Sequence, residues 1–401
     1  MPKNKRPVPR STSKPAEDDE ELQAQALAEL ALAIAEREDA DPEVLRTQET
    51  EFSRLLRNAL RKKNDDLLYG AIERARDTDV GAYQYLRAQV EEASATLLLR
   101  RDGAPTMEIN AFVVPLFVHS SGGLREDQAF EDGAAFEQLV ASIGEAGLES
   151  PQAKVVLISH AYDLGEIDAI SYSHLHDMVR DAAASMTEKK IVATPALERS
   201  IAGWAPSAFA PGDSAMELRF LLGFALKRAD DAFYQVPDDE AGADAYFASR
   251  MERYRRWTEQ AGPLVRRCLA ADPASIELSF LYQDLFYGGK EQGMAEFAML
   301  AMMAEMNHAL ELHALEAGQV RAVVAPADVA GQMVLRVNLV AAQGGALLGS
   351  SEKPLDLAAD LQTEVDDICD ALATIGIAEV AVAMRFDQDG APVDPRRYPP
   401  G

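Results

Sequence analysis

The sequence lacks long apolar runs and is poor in cysteine. No stretch of about 18 consecutive apolar residues occurs, so we expect no membrane-spanning helix and no membrane partner. The 2 cysteines, Cys268 and Cys369, form neither a CxxC pair nor a spaced framework, which argues against a disulfide scaffold or a zinc module. The N-terminal residues contain no apolar segment followed by a cleavage signature. We therefore expect a cytoplasmic protein with reduced thiols.

Sequence motifs of catalysis and phosphate binding are missing as well. The chain contains no P-loop, no GxGxxG dinucleotide motif, no GxSxG nucleophile elbow and no HExxH. Both cysteines lie among apolar residues and are interpreted as packing residues rather than reactive thiolates. On this basis no catalytic residue and no cofactor is assigned, and a non-enzymatic protein is favoured.

Apolar and acidic residues are abundant. Of the 401 residues, 48% are hydrophobic, which suffices for the core of more than one small domain. The formal net charge is -27, so we expect the folded body to repel nucleic acid and anionic membrane surfaces. Binding of nucleic acid is therefore not expected.

Periodicity and charge divide the chain into five segments. Residues 1–18 carry a basic cluster without core-forming residues and are predicted to be a disordered tail. Residues 19–103 show helical spacing of Leu and Ala and are predicted to form a helical N-terminal region. Residues 104–273 are predicted to form a first α/β unit with an inserted helix and loop, and residues 274–388 a second unit. Residues 389–401 are predicted to be a mobile Pro-rich tail.

The predicted fold class is α+β, a helical N-terminal region followed by two ferredoxin-like units in tandem. In the last third of the chain, the strand and helix patterns follow the order β-α-β-β-α-β of the split β-α-β unit. There, Leu335 and Val337 alternate with Arg336, as expected for a strand with one buried face. Residues 276–386 should therefore form one antiparallel sheet with two helices on the same face. The strand at 276–286 either closes the first unit or opens the second.

Two pairs of stretches suggest an internal duplication. MEINAFVVPLF is similar to IELSFLYQDLF, and each runs into a Gly-Gly turn. MELRFLLGFAL is similar to MVLRVNLVAAQ, and this alignment places Arg219 in register with Arg336. Because the paired stretches occur in the same order in both halves, we interpret them as two copies of one unit.

Both Gly-Gly turns lie between a predicted strand and a predicted helix, and a basic residue follows each. Such turns offer unpaired backbone N–H groups to an anion, and the basic side chain adds positive charge. The candidate ligand-binding residues are Gly122, Gly123, Arg125, Gly288, Gly289 and Lys290, together with Arg219 and Arg336. The alternative is that the glycines only permit a tight turn and that the charged side chains are solvated.

The histidines form no metal-ligand set of recognisable spacing. His174 and His176 are two residues apart on a predicted helix, so only one of them can share a site with His160. Glu305 and His308 form an ExxH pair, but a di-iron site needs a second such pair. No metal is predicted. The methionines around this pair are interpreted as adaptable core or as a partner groove.

Several stretches together resemble a known protein family. They are LYGAIERARD, VVPLFVHSSGG, SFLYQDLFYGGKEQGMAEFAML, and VNLVA followed by LLGSS. The chain is similar over most of its length to an uncharacterised family found mainly in betaproteobacteria, a domain of unknown function. The resemblance implies a bacterial protein and brings no known activity, cofactor or site residue.

We expect a soluble, non-enzymatic protein that binds a small anion or a nucleotide and responds to it. Two alternatives stay open. The first is a structural adaptor that acts through the N-terminal helix and the Met-rich helix, and the second is a metal-dependent hydrolase. The expected partners are a small anionic ligand and a second copy of the chain.

Overall fold

The structure is a computed structural model that divides the chain into two compact units, Met1–Lys290 and Glu291–Gly401. It describes residues 14–36, 41–100, 102–120, 133–148, 154–163, 170–184, 186–187, 190–191, 215–231, 236–269, 274, 276–281, 288–330, 332–355 and 360–398. The predicted α+β class with a helical N-terminal region is confirmed.

The N-terminal region contains α1 (Lys14–Ala35), α2 (Pro42–Lys62), α3 (Asp65–Thr78) and α4 (Val80–Ala95). Asp41, Asn64 and Asp79 each precede a helix and accept a backbone hydrogen bond from its first turn. The apolar faces of the four helices meet in a core that includes Leu27, Phe52, Leu68 and Leu86.

The first helix begins earlier than predicted. Helix α1 starts at Lys14, inside the 1–18 segment that was predicted to be disordered, whereas residues 1–13 lie outside the described residues. The backbone of the acidic stretch at 17–21 is part of α1. An acidic stretch was therefore not the boundary between a tail and the helix.

The first sheet and its connections follow the helical region. Its strands are β1 (Thr96–Leu99), β2 (Met107–Ser120), β3 (Lys154–Asp163), β6 (Ala215–Arg228) and β7 (Ile276–Phe280). Between them lie α5 (Gly133–Ala146), α6 (Tyr172–Ala184), the short ribbon of β4 (Met186–Thr187) and β5 (Lys190–Ile191), and α7 (Glu240–Leu269). Strand β6 pairs with β2 over its whole length, β3 pairs with β6, and β1 and β7 pair with the two ends of β2. All of these neighbours are antiparallel.

Helices cover both faces of the first sheet. The even-numbered residues of β2 pack with α5 and α7 in a core that contains Val114, Leu116 and Trp257. The odd-numbered residues Ile109 and Phe117 are also buried, and α4 and α6 contact β1 and β2. Leaving out the inserted α6, β4 and β5, the elements β2-α5-β3-β6-α7-β7 follow the order β-α-β-β-α-β.

The second unit contains a sheet of a different kind. Its elements are α8 (Gly288–His313, whose first three residues belong to the first unit), β8 (Val320–Val329), β9 (Gln332–Ala341), β10 (Leu347–Pro354), α9 (Leu361–Thr374), β11 (Val380–Val382), β12 (Arg385–Phe386), β13 (Pro392–Val393) and β14 (Arg396–Tyr398). The strand order is β10-β9-β8-β11-β14, with β12 and β13 as a separate ribbon. Met306 of α8 and Ile368 of α9 pack with Leu335 and Val337 in one core, so both helices cover the same face. That part of the prediction is confirmed.

One open alternative about this unit is decided, and two expectations were wrong. The strand at Ile276–Phe280 pairs with β2 in the first sheet, so of the two alternatives it closes the first unit. Strands β8 and β11 are parallel, so the second sheet is not fully antiparallel. The tail predicted to be mobile contributes β14, in which Tyr398 pairs with Val380 and packs on the core. Strand pairing over long sequence distance, which local composition does not encode, decided each of these points.

The duplication inferred from the sequence is not confirmed. The stretch at β7 pairs with the last residues of β2, 116–120, so it belongs to the same sheet as the stretch to which it is similar. The tandem of two ferredoxin-like units is therefore not found among the described residues.

Candidate functional site

The residues predicted to bind an anion are described only in part. Gly122, Gly123 and Arg125 lie outside the described residues. Gly288, Gly289 and Lys290 form the first turn of α8, so their place at a helix N-terminus is as predicted. Lys290 is half-buried.

Arg219 is a core residue of the first unit. It is 1% exposed on β6, opposite Leu116, on the face that packs with α5 and α7. Its Nη2 donates to Glu217 Oε2 at 2.7 Å. The Arg219 side chain therefore lies in the interior of the first unit.

Arg336 fastens two elements of the second unit together. Its Nη2 lies 2.7 Å from Glu352 Oε1 on the neighbouring strand β10, and its guanidinium carbon lies 5.7 Å from the centroid of the Phe386 ring. These contacts lie on the sheet face opposite α8 and α9, because Arg336 alternates with Leu335 and Val337. The two aligned arginines therefore have different surroundings.

A group of aromatic and charged side chains converges elsewhere in the first unit. We call it the tyrosine cluster; its members are Tyr69 of α3, Tyr83, Arg87 and Glu91 of α4, Tyr172 of α6 and Lys290 of α8. Three of its members lie four residues apart on α4, which places them on one face of that helix. The cluster lies where α3, α4 and α6 of the first unit meet.

The centre of the cluster is a half-buried ion pair. Arg87 Nε donates to Glu91 Oε1 at 3.2 Å, and Arg87 Nη1 donates to the Tyr83 hydroxyl at 3.3 Å. The side chains of Arg87 and Glu91 are only 18% and 16% exposed. The guanidinium carbon also lies 5.9 Å from the Tyr83 ring centroid, within the range of a cation–π interaction.

Two tyrosine rings adjoin this ion pair. The ring centroids of Tyr69 and Tyr172 are 5.2 Å apart and the rings are inclined by 37°. Tyr172 is half-buried, whereas Tyr69 keeps 44% of its surface exposed. The cluster thus has a buried charged part and a solvent-facing aromatic part.

Burial dominates the electrostatics of the cluster. It raises the pKa of the Glu91 carboxyl above its usual value, against the opposing charges of Arg87 and Lys290. It also raises the pKa of the Tyr172 hydroxyl, and the charge of Glu91 adds to that effect. Burial lowers the pKa of Arg87, but its contacts with Glu91 and Tyr83 outweigh burial, so the net shift is upward. Near neutral pH, Arg87 is charged and Tyr172 is a neutral phenol.

Polar contacts hold α6 beside the cluster. Asp65 accepts hydrogen bonds from the backbone N–H of Ser173, at 2.9 Å, and from its hydroxyl. Lys63 Nζ lies 2.5 Å from Asp177 Oδ2. These contacts join α6 to the region of α2 and α3, and they fix Tyr172, the first residue of α6, in place.

Sequence reasoning found only one member of this cluster. Lys290 was a candidate, but its partners were not. The spacing of Tyr83, Arg87 and Glu91 was a usable signal for one helix face. No local sequence pattern indicates that Tyr172, the first residue of α6, lies next to these three residues of α4.

The remaining candidates have other surroundings. Glu305 and His308 are both exposed on α8. Within the part of the chain that the structure describes, no three His, Cys, Asp or Glu side chains are grouped as metal ligands would be. Cys369 is buried in the core of the second unit, and burial together with Asp366 and Asp370 raises its pKa to about 11, as expected for a packing residue.

A groove lies between two helices of the N-terminal region. Helices α1 and α2 enclose a groove of about 410 Å³, lined by Ala26, Glu29, Leu30, Ala33, Gln48, Glu51 and Leu55. Among the helices described, none combines the length and apolarity needed to cross a membrane.

The chain matches a known protein family. It belongs to the DUF2863 family, described as proteins of unknown function, and the match extends over residues 12–387. No curated protein and no solved structure matches the chain significantly. The resemblance inferred from the sequence is thereby confirmed at the level of the family, and the tyrosine cluster lies inside the matched region.

Proposed function

We propose that this member of the DUF2863 family is a non-catalytic binding protein that takes a small anion at the tyrosine cluster and responds to it. The observation that carries the proposal is the half-buried ion pair of the cluster beside a further basic residue. The side chains of Arg87 and Glu91 form an ion pair and are 18% and 16% exposed, and the positive charge of Lys290 also acts on Glu91.

The burial of the ion pair supports the same conclusion. Withdrawing charges from water is unfavourable, and a half-buried Arg–Glu pair is weak evidence for a purely stabilising role. Groups whose pKa values are shifted by burial and by a specific charged neighbour are concentrated at functional sites. Glu91 and Tyr172 are both of this kind.

The position of Lys290 links this proposal to the sequence. Its charge acts on Glu91, so the basic residue that follows the second Gly-Gly turn belongs to the same group of charges as Arg87. An anion that bound here would contact side chains from α4, α6 and α8. Binding would therefore tie together elements that are far apart in sequence, which is a direct way for a ligand to alter stability.

Thermal unfolding in the presence of anions tests the proposal. Phosphate, pyrophosphate, AMP and citrate should be compared at low salt, because exposed charges are screened at high salt. At least one should raise the melting temperature, and Lys290→Gln should weaken its binding by about tenfold, since about 1.4 kcal/mol corresponds to one decade in affinity.

The matched control is Arg57→Gln, which removes an exposed cation on α2 away from the cluster. It should leave the affinity unchanged. If Lys290→Gln and Arg57→Gln bind the anion equally well, or if no anion shifts the melting temperature, the proposal is wrong.

A further inference from the structure

We infer that a second copy of this chain binds to the groove between α1 and α2, so that the two copies form a four-helix bundle about a two-fold axis. The groove contains no member of the tyrosine cluster, so this inference does not depend on the proposed function. Three properties of the surface support it: an apolar stripe, opposite charges on the two helices, and an area sufficient for a dimer.

The first property is an apolar stripe along the open side of the two helices. The groove has a volume of about 410 Å³, and most of its lining residues are alanine or leucine. Leu22 is 63% exposed and lies four residues before Ala26 of the groove. Val44 is 52% exposed and lies four residues before Gln48 of the groove. Residues four apart share one face of a helix, so the apolar surface extends beyond the groove along both helices.

The second property is that the two helices carry opposite net charges. Between Asp19 and Ala35, α1 contains four acidic residues and neither lysine nor arginine, whereas α2 contains five basic and three acidic residues. The existing ion pairs do not change these signs. Arg54 and Glu51 both belong to α2, and Arg74 of α3 neutralises only Glu21 of α1. One side of the groove is therefore negative and the other is positive.

These charges favour a second copy as the occupant of the groove. A uniformly basic or uniformly acidic partner would be repelled by one of the two helices, whereas a second copy brings both signs. The connection between α1 and α2 is short, residues 36–41, so the two helices run antiparallel. A two-fold axis parallel to the helices places α1 of each copy against α2 of the other, with opposite charges facing. An axis across the helices would place α1 against α1, with like charges facing.

The third property is the area of the surface. Helices of 22 and 21 residues are about 30 Å long at about 1.5 Å per residue, and packed helices lie about 10 Å apart. The open side of the pair therefore measures about 600 Å² per copy, or about 1,200 Å² for the dimer, which is the lower end of the range for specific interfaces. We expect a dimer that dissociates on dilution.

Sedimentation velocity of the full chain over a range of concentrations tests the inference. The wild-type chain should sediment at about twice the mass of one chain at high concentration and dissociate on dilution. Leu22→Lys should weaken the dimer by about tenfold or more, because each copy loses an apolar contact and gains a charge in the interface. The matched control is Leu312→Lys, since Leu312 is 70% exposed on α8 and lies outside the groove; it should leave the dimer unchanged.

A charge exchange tests which helices face each other. Glu29 lines the groove on α1, and Arg54 of α2 lies between the groove residues Glu51 and Leu55. Glu29→Lys and Arg54→Glu should each weaken the dimer by about 2- to 30-fold, which corresponds to about 0.4–2 kcal/mol for two exposed ion pairs. Combining both substitutions restores opposite charges between α1 and α2 and should recover most of the affinity.

Each outcome supports or overturns the inference. A wild-type chain that is monomeric at every concentration overturns it. A dimer that neither Leu22→Lys nor Glu29→Lys weakens also overturns it, because that dimer uses another surface. If the double variant is weaker than either single variant, α1 does not face α2 of the other copy, and the bundle is wrong. Circular dichroism of each variant confirms that a loss of dimer is not a loss of fold.

Discussion

The two sheets of this protein are stabilised by different kinds of side chain. Helices cover both faces of the first sheet, and the buried residues of this sheet and its helices include large aromatic side chains such as Phe112, Phe224 and Trp257. The second sheet has its two described helices on one face, in a core of Val, Leu, Ile and Met side chains. Its other face is lined by small residues with one aromatic ring, Phe386.

The difference has a physical consequence. A large aromatic side chain fills space that no neighbour can fill if it is lost, so the first unit should be sensitive to single substitutions. Small and flexible aliphatic side chains, methionine above all, adapt more readily to change. The first unit should therefore depend on a few residues, whereas the stability of the second should be spread over many.

The largest effect is expected for Trp257→Ala. Trp257 is 1% exposed, packs against Tyr254 and Phe280, and donates from Nε1 to Ser142 Oγ at 3.1 Å. Truncation should lower the free energy of unfolding by about 3–5 kcal/mol. Urea unfolding followed by circular dichroism measures it. The exposed Phe247 on the same helix is the control, and a similar loss for Phe247→Ala would contradict the packing argument.

The two aligned arginines provide a direct comparison between the units. Arg219→Met should lower the free energy of unfolding by about 3 kcal/mol. The substitution removes the buried guanidinium group, so the carboxylate of Glu217 loses the ion pair with Arg219. Arg336→Met should cost about 1 kcal/mol or less, since its bridge to Glu352 is partly solvated. Equal losses for the two variants would show that the arginines are equivalent after all.

A close contact in the first sheet predicts a somewhat smaller effect. A Cβ at Gly223 would lie 2.2 Å from Cζ of Phe112, the cross-strand neighbour. Gly223→Ala should therefore lower the free energy of unfolding by about 1–3 kcal/mol through overpacking. Adding Phe112→Leu should restore part of that loss, which a purely backbone effect would not allow. Gly144→Ala, in the open on α5, should be neutral or stabilising.

The smallest effect concerns acid sensitivity. Burial lowers the pKa of His176 on α6 below its usual value of 6.5, against a hydrogen bond with the backbone of Ala93. A group with a lowered folded pKa binds fewer protons folded than unfolded. Stability should therefore rise with pH up to about 6.5 and level off above it.

Thermal melts between about pH 5 and pH 8 measure this slope, a range that spans the unperturbed pKa of histidine. His176→Gln should reduce it. His308→Gln, at an exposed position on α8, should leave it unchanged. If both variants keep the slope, another group accounts for the acid sensitivity.

Local signals predicted the helices and several strands well. Asp41 followed by Pro42 marks the start of α2, because a capping side chain and a proline at the first helical position act within one turn. The alternation of Leu335, Arg336 and Val337 correctly assigned the faces of β9, since the strand period is a property of neighbouring residues.

Pairing between distant segments was not predictable in the same way. Ile276–Phe280 has the same pattern whether it pairs with β2 or opens a new sheet, so its placement depends on which partner edge is free. Arg396–Tyr398 has too few apolar residues to be recognised as a strand, and it becomes one because β11 offers an edge. Similarity between strand sequences is a weak signal of duplication, because strands share composition wherever they lie.

By itself, the sequence determined the helical N-terminal region and the α+β class, since both depend on residue patterns within short stretches. It also determined the family, which depends on similarity over most of the chain. It also placed Arg87 and Glu91 on one helix face, because i,i+4 spacing is local. Only the tertiary structure brought Tyr69, Tyr172 and Lys290 to that ion pair. They come from three other helices, and which residues meet across such distances is decided by strand pairing and helix packing, not by any feature of the residues alone.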